Sequence, residues 1–178
     1  SNTCVVVLRV TDGSRTDTIT VTVNVQDVNE FDPAFSDGAT ATATPNENQV
    51  AVGTYAATDT DGTATQTYSV LTAAQDATSV DHDLFSVAGG GVLTFASAPN
   101  YEDAGCGAGD NSNTCVVVLR VTDGANTDTI TVTVNIQDLN DETPSFTSSA
   151  TPTINENVRN VVTLASSDAD SGDTVTYA

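Results

Sequence analysis

The sequence predicts an all-β protein made of antiparallel sandwiches, and three features carry this prediction. In segment 129–136, isoleucine and valine alternate with threonine and asparagine, which is the pattern of a strand in a half-buried sheet. Threonine, valine and alanine are abundant, aromatic residues make up only 5% of the chain, and glycines are scattered, as suits short strands joined by turns. About seven short strands fall within roughly 110 residues, which predicts an immunoglobulin-like Greek-key sandwich.

Between residues 34 and 144 the strands can be placed in chain order. Pro45 ends the first of them, and an Asp-Gly pair at 123–124 joins the last two. Three glycines at 89–91 predict a hairpin, and the polar stretch 72–83 is expected to hold a helical turn near 73–76. The predicted strands are 39–44, 50–58, 67–71, 84–87, 92–95, 115–122 and 129–136.

The sequence also repeats itself. Segments 2–30 and 113–141, offset by 111 residues, are identical at 24 of 29 positions. The Asn-Glu-Asn motif at 46–48 returns at 155–157, and the Asp-x-Asp motif at 59–61 returns at 168–170. Such a period indicates tandem supersecondary units. We therefore predict a linear tandem array in which 1–33 are the C-terminal strands of a truncated repeat, 34–144 a complete repeat, and 145–178 the N-terminal strands of the next.

The charge of the chain limits its partners. With 24 acidic residues, four arginines and no lysine, the formal net charge is −20. This charge opposes binding to nucleic acid or anionic membranes and favours cations as partners. No apolar run approaches the length of a membrane span, so no membrane-spanning segment is expected.

The three cysteines predict one disulfide. Cys106 and Cys115 lie nine residues apart across a glycine-containing loop. Metal ligation by these thiols is disfavoured, because there is no CxxC spacing and the single histidine, His82, is distant in sequence. A structural disulfide indicates an oxidising, extracellular setting. Cys4 occupies the position of Cys115 one repeat earlier, so its partner is expected before residue 1.

An acidic segment follows the last strand and ends at Pro144. Within it Asp138, Asn140 and Asp141 offer two carboxylates and an amide, with no cationic residue near them in sequence. Hard oxygen ligands at this density suit Ca²⁺, which takes roughly six to eight oxygens in flexible geometry. Taken alone, the segment is also explained as a solvated acidic linker, and that alternative stays open.

Further acidic motifs occur at regular places, and their order and spacing are more specific than any one of them. The chain as a whole resembles cadherin repeats, and more particularly the cadherin-like repeats of large prokaryotic surface proteins. The motifs that carry the resemblance are Asn46-Glu47-Asn48, Asp59-Thr60-Asp61-Gly62, Phe85-Ser86-Val87 leading to Gly91-Val92-Leu93-Thr94, Asn100-Tyr101-Glu102, Asp123-Gly124 and the linker 138–144.

The resemblance implies that Ca²⁺ binds where successive repeats meet. Two glutamates and the linker of one repeat would face the Asp-x-Asp turn and the Asp-Gly aspartate of the next. At the junction between the second and third repeats the implied ligands are Glu47, Glu102, Asp138, Asn140, Asp141, Asp168 and Asp170. At the junction before it they are Asp27, Asn29, Glu30, Asp59, Asp61 and Asp123.

Three departures from the family pattern bear on these sites. Asn100 stands where the family usually has an aspartate, which removes one charge. Glu30 replaces the linker aspartate, which predicts a weaker first junction or fewer ions there. The first linker continues with Phe-Asp-Pro at 31–33, where the second has Glu-Thr-Pro at 142–144.

The predicted function is that of a Ca²⁺-rigidified extracellular rod in a cell-surface adhesin or filament. Its partners would be calcium ions, neighbouring repeats, and like chains or a cell-surface ligand. The alternatives are a module that recognises a carbohydrate or protein directly, and accessory repeats of a secreted hydrolase. Near-identical adjacent repeats favour a spacer, and the absence of tryptophan disfavours a sugar-stacking platform. Enzyme activity is not expected, since no Ser/His/Asp or Cys/His set can be assembled.

Overall fold

The computed structural model describes residues 2–61, 65–103, 105–106 and 112–177. Its only helical element in these ranges is a single 3₁₀ turn, His82–Leu84. Among the described residues, no helix has the length and apolar character needed to cross a bilayer. The strands are β1 (Asn2–Thr11), β2 (Thr16–Val25), β3 (Ala34–Phe35), β4 (Thr40–Ala43), β5 (Ala51–Thr54), β6 (Ala57–Thr58), β7 (Thr67–Val70), β8 (Phe85–Ala88), β9 (Val92–Phe95), β10 (Thr114–Thr122), β11 (Thr127–Asn135), β12 (Ser145–Phe146) and β13 (Ser166–Ser167).

Strands β3 to β11 form a two-layer sandwich. One layer is a four-stranded sheet in the order β4-β11-β10-β7, and the other is a three-stranded sheet in the order β5-β9-β8. The short strands β3 and β6 pair with each other at one side. All pairings in the sandwich are antiparallel except that of β4 with β11, which is parallel. The predicted all-β, immunoglobulin-like sandwich is confirmed.

The long hairpin β10–β11 supplies half of the core. Its alternating apolar residues point inward, and Leu119 and Ile130 have no exposed surface. From the opposite sheet Leu93 is fully buried, while Phe85 and Phe95 stack with ring centroids 4.9 Å apart. Burial of aliphatic and aromatic side chains of this size is the main stabilising term for a domain with so few aromatics.

Two polar side chains accept hydrogen bonds from backbone N–H groups of β10 in the part of the strand that β7 does not reach. Ser79 Oγ accepts the backbone N–H of Val118 at 3.0 Å, and Asp81 Oδ2 accepts that of Val116 at 2.7 Å. Both polar residues are buried, with exposed fractions of 0% and 4%. Unpaired backbone groups at a sheet edge invite pairing with other chains, so these contacts protect β10 where β7 has ended.

The hairpin β1–β2 repeats β10–β11 without its core. Its register is the same, since Leu8 faces Ile19 as Leu119 faces Ile130. However, Leu8 is 52% exposed and Ile19 61% exposed. The described chain contains no second sheet packed on this hairpin. At the other end of the chain, β12 pairs with β13 in the same way that β3 pairs with β6.

The structure corrects two details of the strand prediction. The predicted strand 50–58 is divided into β5 and β6, because the chain turns at Tyr55, whose N–H donates to Gly91 O at 2.8 Å and whose ring is buried. A Cβ on Gly91 would lie 1.9 Å from the Tyr55 carbonyl oxygen, so only glycine allows this approach. The expected turn near 73–76 is present, since the Asp76 N–H donates to Thr72 O at 2.9 Å. A 3₁₀ turn that was not predicted lies at His82–Leu84, where the strand 84–87 was expected to begin.

The predicted disulfide is present. Cys106 and Cys115 are bonded, their Cα atoms are 4.8 Å apart, and both are buried. The Cys106 N–H donates to Ser112 O at 3.0 Å, which closes the loop against the start of β10. Residues 107–111 lie outside the described ranges. Cys4 is exposed and is not disulfide-bonded.

The two copies of one hairpin offer a matched test of the core. Leu119→Ala should lower the free energy of unfolding by about 2–5 kcal/mol, because a fully buried leucine leaves a cavity. Leu8→Ala, the same change at the matching exposed position, should alter it by less than about 0.5 kcal/mol. Urea unfolding followed by circular dichroism measures both. Equal losses in the two variants would contradict the assignment of β10–β11 to the core.

The disulfide predicts the reactivity of the cysteines. Without reductant, a thiol reagent should modify Cys4 alone, and the Cys4→Ser variant should not react. Reduction should lower the free energy of unfolding by about 2–3 kcal/mol, as expected for a closed loop of about ten residues. Mass spectrometry counts the modified thiols, and chemical denaturation of the Cys4→Ser variant measures the stability. A reactive Cys4→Ser variant in the absence of reductant would refute the prediction.

Candidate metal centre at the repeat ends

Glu47 links three separate parts of the chain. Its side chain is 1% exposed. Its Oε2 accepts the backbone N–H of Tyr101 at 2.7 Å, and its Oε1 accepts that of Leu139 at 2.8 Å. Its own N–H donates to Gln137 O at 3.0 Å. Hydrogen bonds to an ionised carboxylate offset part of the cost of burying it, so this glutamate fixes the loop at Tyr101 and the linker at Leu139 around one point.

Asn48 places an amide against the same linker. Its φ of 61° is in the left-handed region, which asparagine tolerates better than most residues. Its Nδ2 donates to Asp141 Oδ2 at 2.5 Å, and its backbone N–H donates to Pro99 O at 2.9 Å. Asn157, the matching residue of the next motif, has the same conformation with a φ of 66°.

Two groups of carboxylates form around this linker. Glu47, Glu102 and Asp138 each offer an oxygen, and these oxygens lie within 4.8 Å of one another. Glu102, Asp141 and Glu142 form a second group by the same measure. Glu102 belongs to both. None of these carboxylates forms an ion pair with an arginine in the described ranges.

Several oxygens in these groups are buried and have no hydrogen-bond partner in the described structure. They include both carboxylate oxygens of Glu102 and Oδ1 of Asp138. At the first linker the same holds for Asn29 Oδ1, Asp59 Oδ2 and Asp123 Oδ2. Buried polar atoms almost always have a partner, because leaving them unpaired is costly. Oxygens of this kind at two matching places fit a hard cation that prefers oxygen ligands.

Burial and charge act on the acidity of the clustered carboxyls. Desolvation is the largest cause of a raised pKa at Glu102, and the negative charges of Glu47, Asp138 and Asp141 add to it. Desolvation also raises the pKa of Asp170, with a further contribution from neighbouring carboxylates. The charged forms of both groups are therefore disfavoured in the folded protein when no cation compensates them.

The segment after the second linker lies against it through direct contacts. The Ser171 N–H donates to Asp138 Oδ2 at 2.6 Å, and the Glu142 N–H donates to Asp170 Oδ2 at 3.1 Å. Asn140 also donates its amide N–H to a carboxylate, that of Asp173. These contacts bring the Asp-x-Asp turn at 168–170 to the linker.

The first linker is held in a similar way. Asp61 is 6% exposed, and its Oδ2 accepts the N–H groups of Glu30 at 2.9 Å and Phe31 at 2.8 Å. Asn29 Nδ2 donates to Asp123 O at 3.5 Å. Asp61 and Asp170 are the second aspartates of the two Asp-x-Asp motifs, so in both linkers this residue accepts hydrogen bonds from linker backbone N–H groups.

The predicted ligands of the second linker are largely assembled. Glu47, Glu102 and Asp138 share one group, and Asp141 joins Glu102 in the other. Asp170 and Asn140 contact the linker, and Asp168 accepts the N–H of Asp170 at 3.2 Å.

The predicted ligands of the first linker do not form a comparable group. Within the described ranges, no three acidic, cysteine or histidine side chains converge there. Cation binding at either linker stays a prediction. The residues without such a group are Asp27, Asn29, Glu30, Asp59, Asp61 and Asp123.

Three contributing residues were missed from the sequence. Glu142 joins the second carboxylate group, Asn48 contacts Asp141, and Asp173 contacts Asn140. Glu142 could have been found, because it continues the acidic run of the linker. The roles of Asn48 and Asp173 depend on contacts between residues that are 93 and 33 positions apart, which no local pattern reveals.

Comparison with known structures places the fold among cadherin ectodomains. The protocadherin gammaB7 EC3-6 cis-dimer structure matches with a TM-score of 0.61 and 21% identity over 96% of this chain and 43% of that one. The crystal structure of human CDH23 EC21-23 matches with a TM-score of 0.60 and 24% identity, over 87% of this chain and 51% of that one. The crystal structure of the human desmocollin-1 ectodomain matches with a TM-score of 0.58 and 23% identity, over 89% of this chain and 30% of that one. The chain thus spans between 30% and 51% of the length of these structures.

The similarity concerns the fold. No protein-family model matches the sequence, and no curated protein matches it. At identities of 21 to 24%, the matches show that the described chain has the cadherin-like form of the immunoglobulin-type β-sandwich. The predicted resemblance to cadherin domains is confirmed at that level.

In cation-free protein, the pKa values of three carboxyl groups should be shifted in different directions: those of Glu102 and Asp170 upwards and that of Asp123 downwards. Glu102 and Asp170 should titrate above their ordinary pKa values of 4.5 and 3.8, because burial disfavours their charged forms. Asp123 should titrate below 3.8, because the N–H groups of Asn126 and Ala125 bind its charged form. Carboxyl carbon chemical shifts followed by NMR between about pH 2 and 7 measure all three, a range that covers ordinary carboxyl pKa values.

The signs of the stability effects follow from these directions. A carboxyl with a raised folded pKa contributes stability below its unfolded value, and this contribution is lost as the pH rises through the folded pKa. The contribution of Asp123 is present above its unfolded value and is lost as the pH falls through its folded pKa. A Glu102 that titrates at or below 4.5 would contradict the proposed burial of its charge.

Proposed function

We propose that residues 34–144 are one complete repeat of a cadherin-like tandem array, flanked by parts of two further repeats, and that Ca²⁺ stiffens the linkers of this array. The array would serve as the rod of an extracellular adhesin or surface filament. The observation that carries the proposal is the set of buried, unpartnered carboxylate oxygens where the linker meets both neighbouring segments.

The electrostatics of the linker support a cation as the stiffening agent. Three carboxylate oxygens lie within 4.8 Å of one another, one each from Glu47, Glu102 and Asp138. The chain carries only four arginines and no lysine to compensate their charge. Like charges at this distance repel and drive the groups apart unless a positive charge lies between them. A bound cation would convert this repulsion into an attraction between two segments of the chain.

The ligand chemistry favours Ca²⁺ among the divalent cations. The grouped candidate ligands are all carboxylate oxygens, which do not suit soft metals. The carboxylates come from a loop, a linker and a turn, so they can adapt to irregular coordination. Ca²⁺ accepts such flexible geometry with many ligands, whereas Mg²⁺ demands a near-ideal octahedron and keeps much of its water.

The proposed extracellular location is supported by the disulfide. Cys106 and Cys115 are bonded and buried at the start of β10. Disulfides of this structural kind persist in oxidising compartments and are rare in the cytosol. The cadherin ectodomains that share the fold are consistent with the same setting.

A role as a spacer is favoured over direct recognition by the near-identity of the repeated segments. The 24 identical positions of 29 include both outward-facing and inward-facing residues of the hairpin. A rod needs only that each unit stack on the next, so copies serve it well. A recognition surface would be expected to differ between neighbouring copies.

The dynamics of the second linker test the proposal. Addition of Ca²⁺ to cation-free protein should order residues 138–146, so that their ¹⁵N order parameters rise from below about 0.6 towards about 0.85. Isothermal titration calorimetry on the same sample should show binding. The core amides of β10 and β11 should change little, because the sandwich has its own hydrophobic core.

The chain provides a matched control for this experiment. Glu47→Gln should abolish the ordering, because it removes a charge from the buried end of the carboxylate group. Glu156→Gln makes the same change in the second Asn-Glu-Asn motif, where the side chain is exposed, and should behave like the parent. A parent linker that is equally mobile with and without Ca²⁺ would contradict the proposed function.

A further inference from the structure

We propose that the Cys106–Cys115 disulfide is a redox-sensitive latch that holds the second linker against the sandwich. Reduction of this one bond would release the linker while the sandwich itself stays folded. The latch acts through hydrogen bonds to Glu47 and needs no bound cation, so it goes beyond the proposed function and does not depend on it.

The disulfide closes the part of the chain that carries Tyr101. Cys106 lies five residues after Tyr101, and Cys115 is the second residue of β10. Asn113, two residues before Cys115, donates its Nδ2 to Tyr101 O at 2.8 Å. The covalent bond thus holds Tyr101 and Asn113 within reach of each other. When the bond is broken, this hydrogen bond has to compete with the freedom of an open loop.

A single buried carboxylate connects Tyr101 to the linker. Glu47 Oε2 accepts the Tyr101 N–H at 2.7 Å, and Glu47 Oε1 accepts the Leu139 N–H at 2.8 Å. The Glu47 side chain is 1% exposed, so water cannot replace a lost donor unless the surrounding chain opens. A buried charge that loses one of its donors is costly. Displacement of Tyr101 would therefore destabilise the closed arrangement that also holds Leu139.

Packing contributes little to the position of the segment around Tyr101. A cavity of about 320 Å³ is lined by Phe95 and Ile136 of the sandwich and by Pro99 and Asp103 of this segment. Close-packed parts of a protein leave few spaces larger than a water molecule. Because the segment is not packed tightly onto the core here, its position depends strongly on its hydrogen bonds and on the disulfide.

The same cavity gives a reductant access to the bond. Cys106 and Cys115 are buried, but both line the cavity, as do the exposed residues Asp83 and Asp103. A small dithiol can therefore reach the sulfur atoms. One of its thiolates attacks a cystine sulfur to form a mixed disulfide, and the second displaces the remaining cysteine. The cystine gains two electrons and the two thiol protons, and the dithiol is oxidised to a cyclic disulfide.

The sandwich has its own source of stability. Leu93, Leu119 and Ile130 have no exposed surface, and β10 pairs with β11 along its whole length. Reduction removes a crosslink and none of these contacts, so the sandwich should remain folded. The linker has no such core, since Leu139 is 38% exposed. Reduction should therefore act locally, on the part of the chain with the lower stability.

Amide hydrogen exchange followed by NMR in chelator-treated protein tests the latch. Cys4→Ser serves as the parent, so that all thiols come from the pair. Reduction with dithiothreitol should lower the protection of the Tyr101 and Leu139 amides by about tenfold or more, because both lose their fixed acceptor. Cys106→Ser with Cys115→Ser, in the same background, should reproduce this loss without reductant. Circular dichroism checks that the sandwich stays folded.

Two controls separate the latch from a general loss of stability. Leu119→Ala weakens the whole core with the disulfide intact, and should leave the protection of Leu139 within about twofold of the parent, because this amide exchanges by local opening. Glu47→Gln has one acceptor oxygen where the glutamate has two, so it cannot hold both amides. In that variant, reduction should no longer change the protection of Leu139.

Every outcome decides for or against the latch. Faster exchange of Leu139 on reduction, with no such effect in either control, supports it. An unchanged Leu139, an unprotected Leu139 in the oxidised parent, equal effects of reduction and of Leu119→Ala, an effect of reduction that persists in Glu47→Gln, or unfolding of the sandwich on reduction would each overturn it. The samples hold no free divalent cation, so failure of the latch leaves the proposed function standing, and failure of Ca²⁺ binding leaves the latch standing.

Discussion

The arrangement of the loop and the linker at the end of the sandwich depends on carboxylates that lie close together in partly buried surroundings, where their mutual repulsion is costly. Glu47 is the centre of this constraint, because its two oxygens bind backbone N–H groups of the loop at Tyr101 and of the linker at Leu139. The sandwich, the loop and the linker are thereby held at one point by an acidic group. Around it lie Glu102 and Asp138, whose buried oxygens have no partner in the described structure. The fold thus concentrates negative charge where the chain leaves the sandwich, and a positive ion is the simplest compensation for this charge.

The repeated hairpin shows that local sequence determines register while burial depends on context. β1–β2 and β10–β11 have the same pairing, with Leu8 opposite Ile19 and Leu119 opposite Ile130. The turn chemistry is also preserved, since Asp12 and Asp123 each accept backbone N–H groups two and three residues ahead. Yet one hairpin is exposed and the other lies in a core. The alternating apolar pattern therefore specifies a face to be buried, and the rest of the repeat decides whether it is.

Much of the fold could be predicted because the strands show alternating apolar and polar residues and because the motifs recur along the sequence. The alternation in 129–136 and the glycine hairpin at 89–91 both led to strands that the structure contains. The break at Tyr55 was missed because it results from a close approach to Gly91, which is distant in sequence. The edge contacts of Ser79 and Asp81 were missed for the same reason. In the candidate site, the order of acidic motifs indicated most of the converging residues. The roles of Asn48 and Asp173 were missed because their partners are distant in sequence.

The parallel pairing of β4 with β11 determines how the sandwich would respond to tension along its length. Thr40 pairs with Thr131 and Thr42 with Thr133, and the pairing continues where the Glu47 N–H donates to Gln137 O. The short strand β4 near the start of the sandwich and its last strand, β11, thus lie side by side and point the same way. Tension applied through the two linkers would draw these strands past each other, loading their hydrogen bonds together in shear instead of opening them one at a time. Resistance to stretching is therefore built into the connectivity of the sandwich, separately from any stiffness of the linkers.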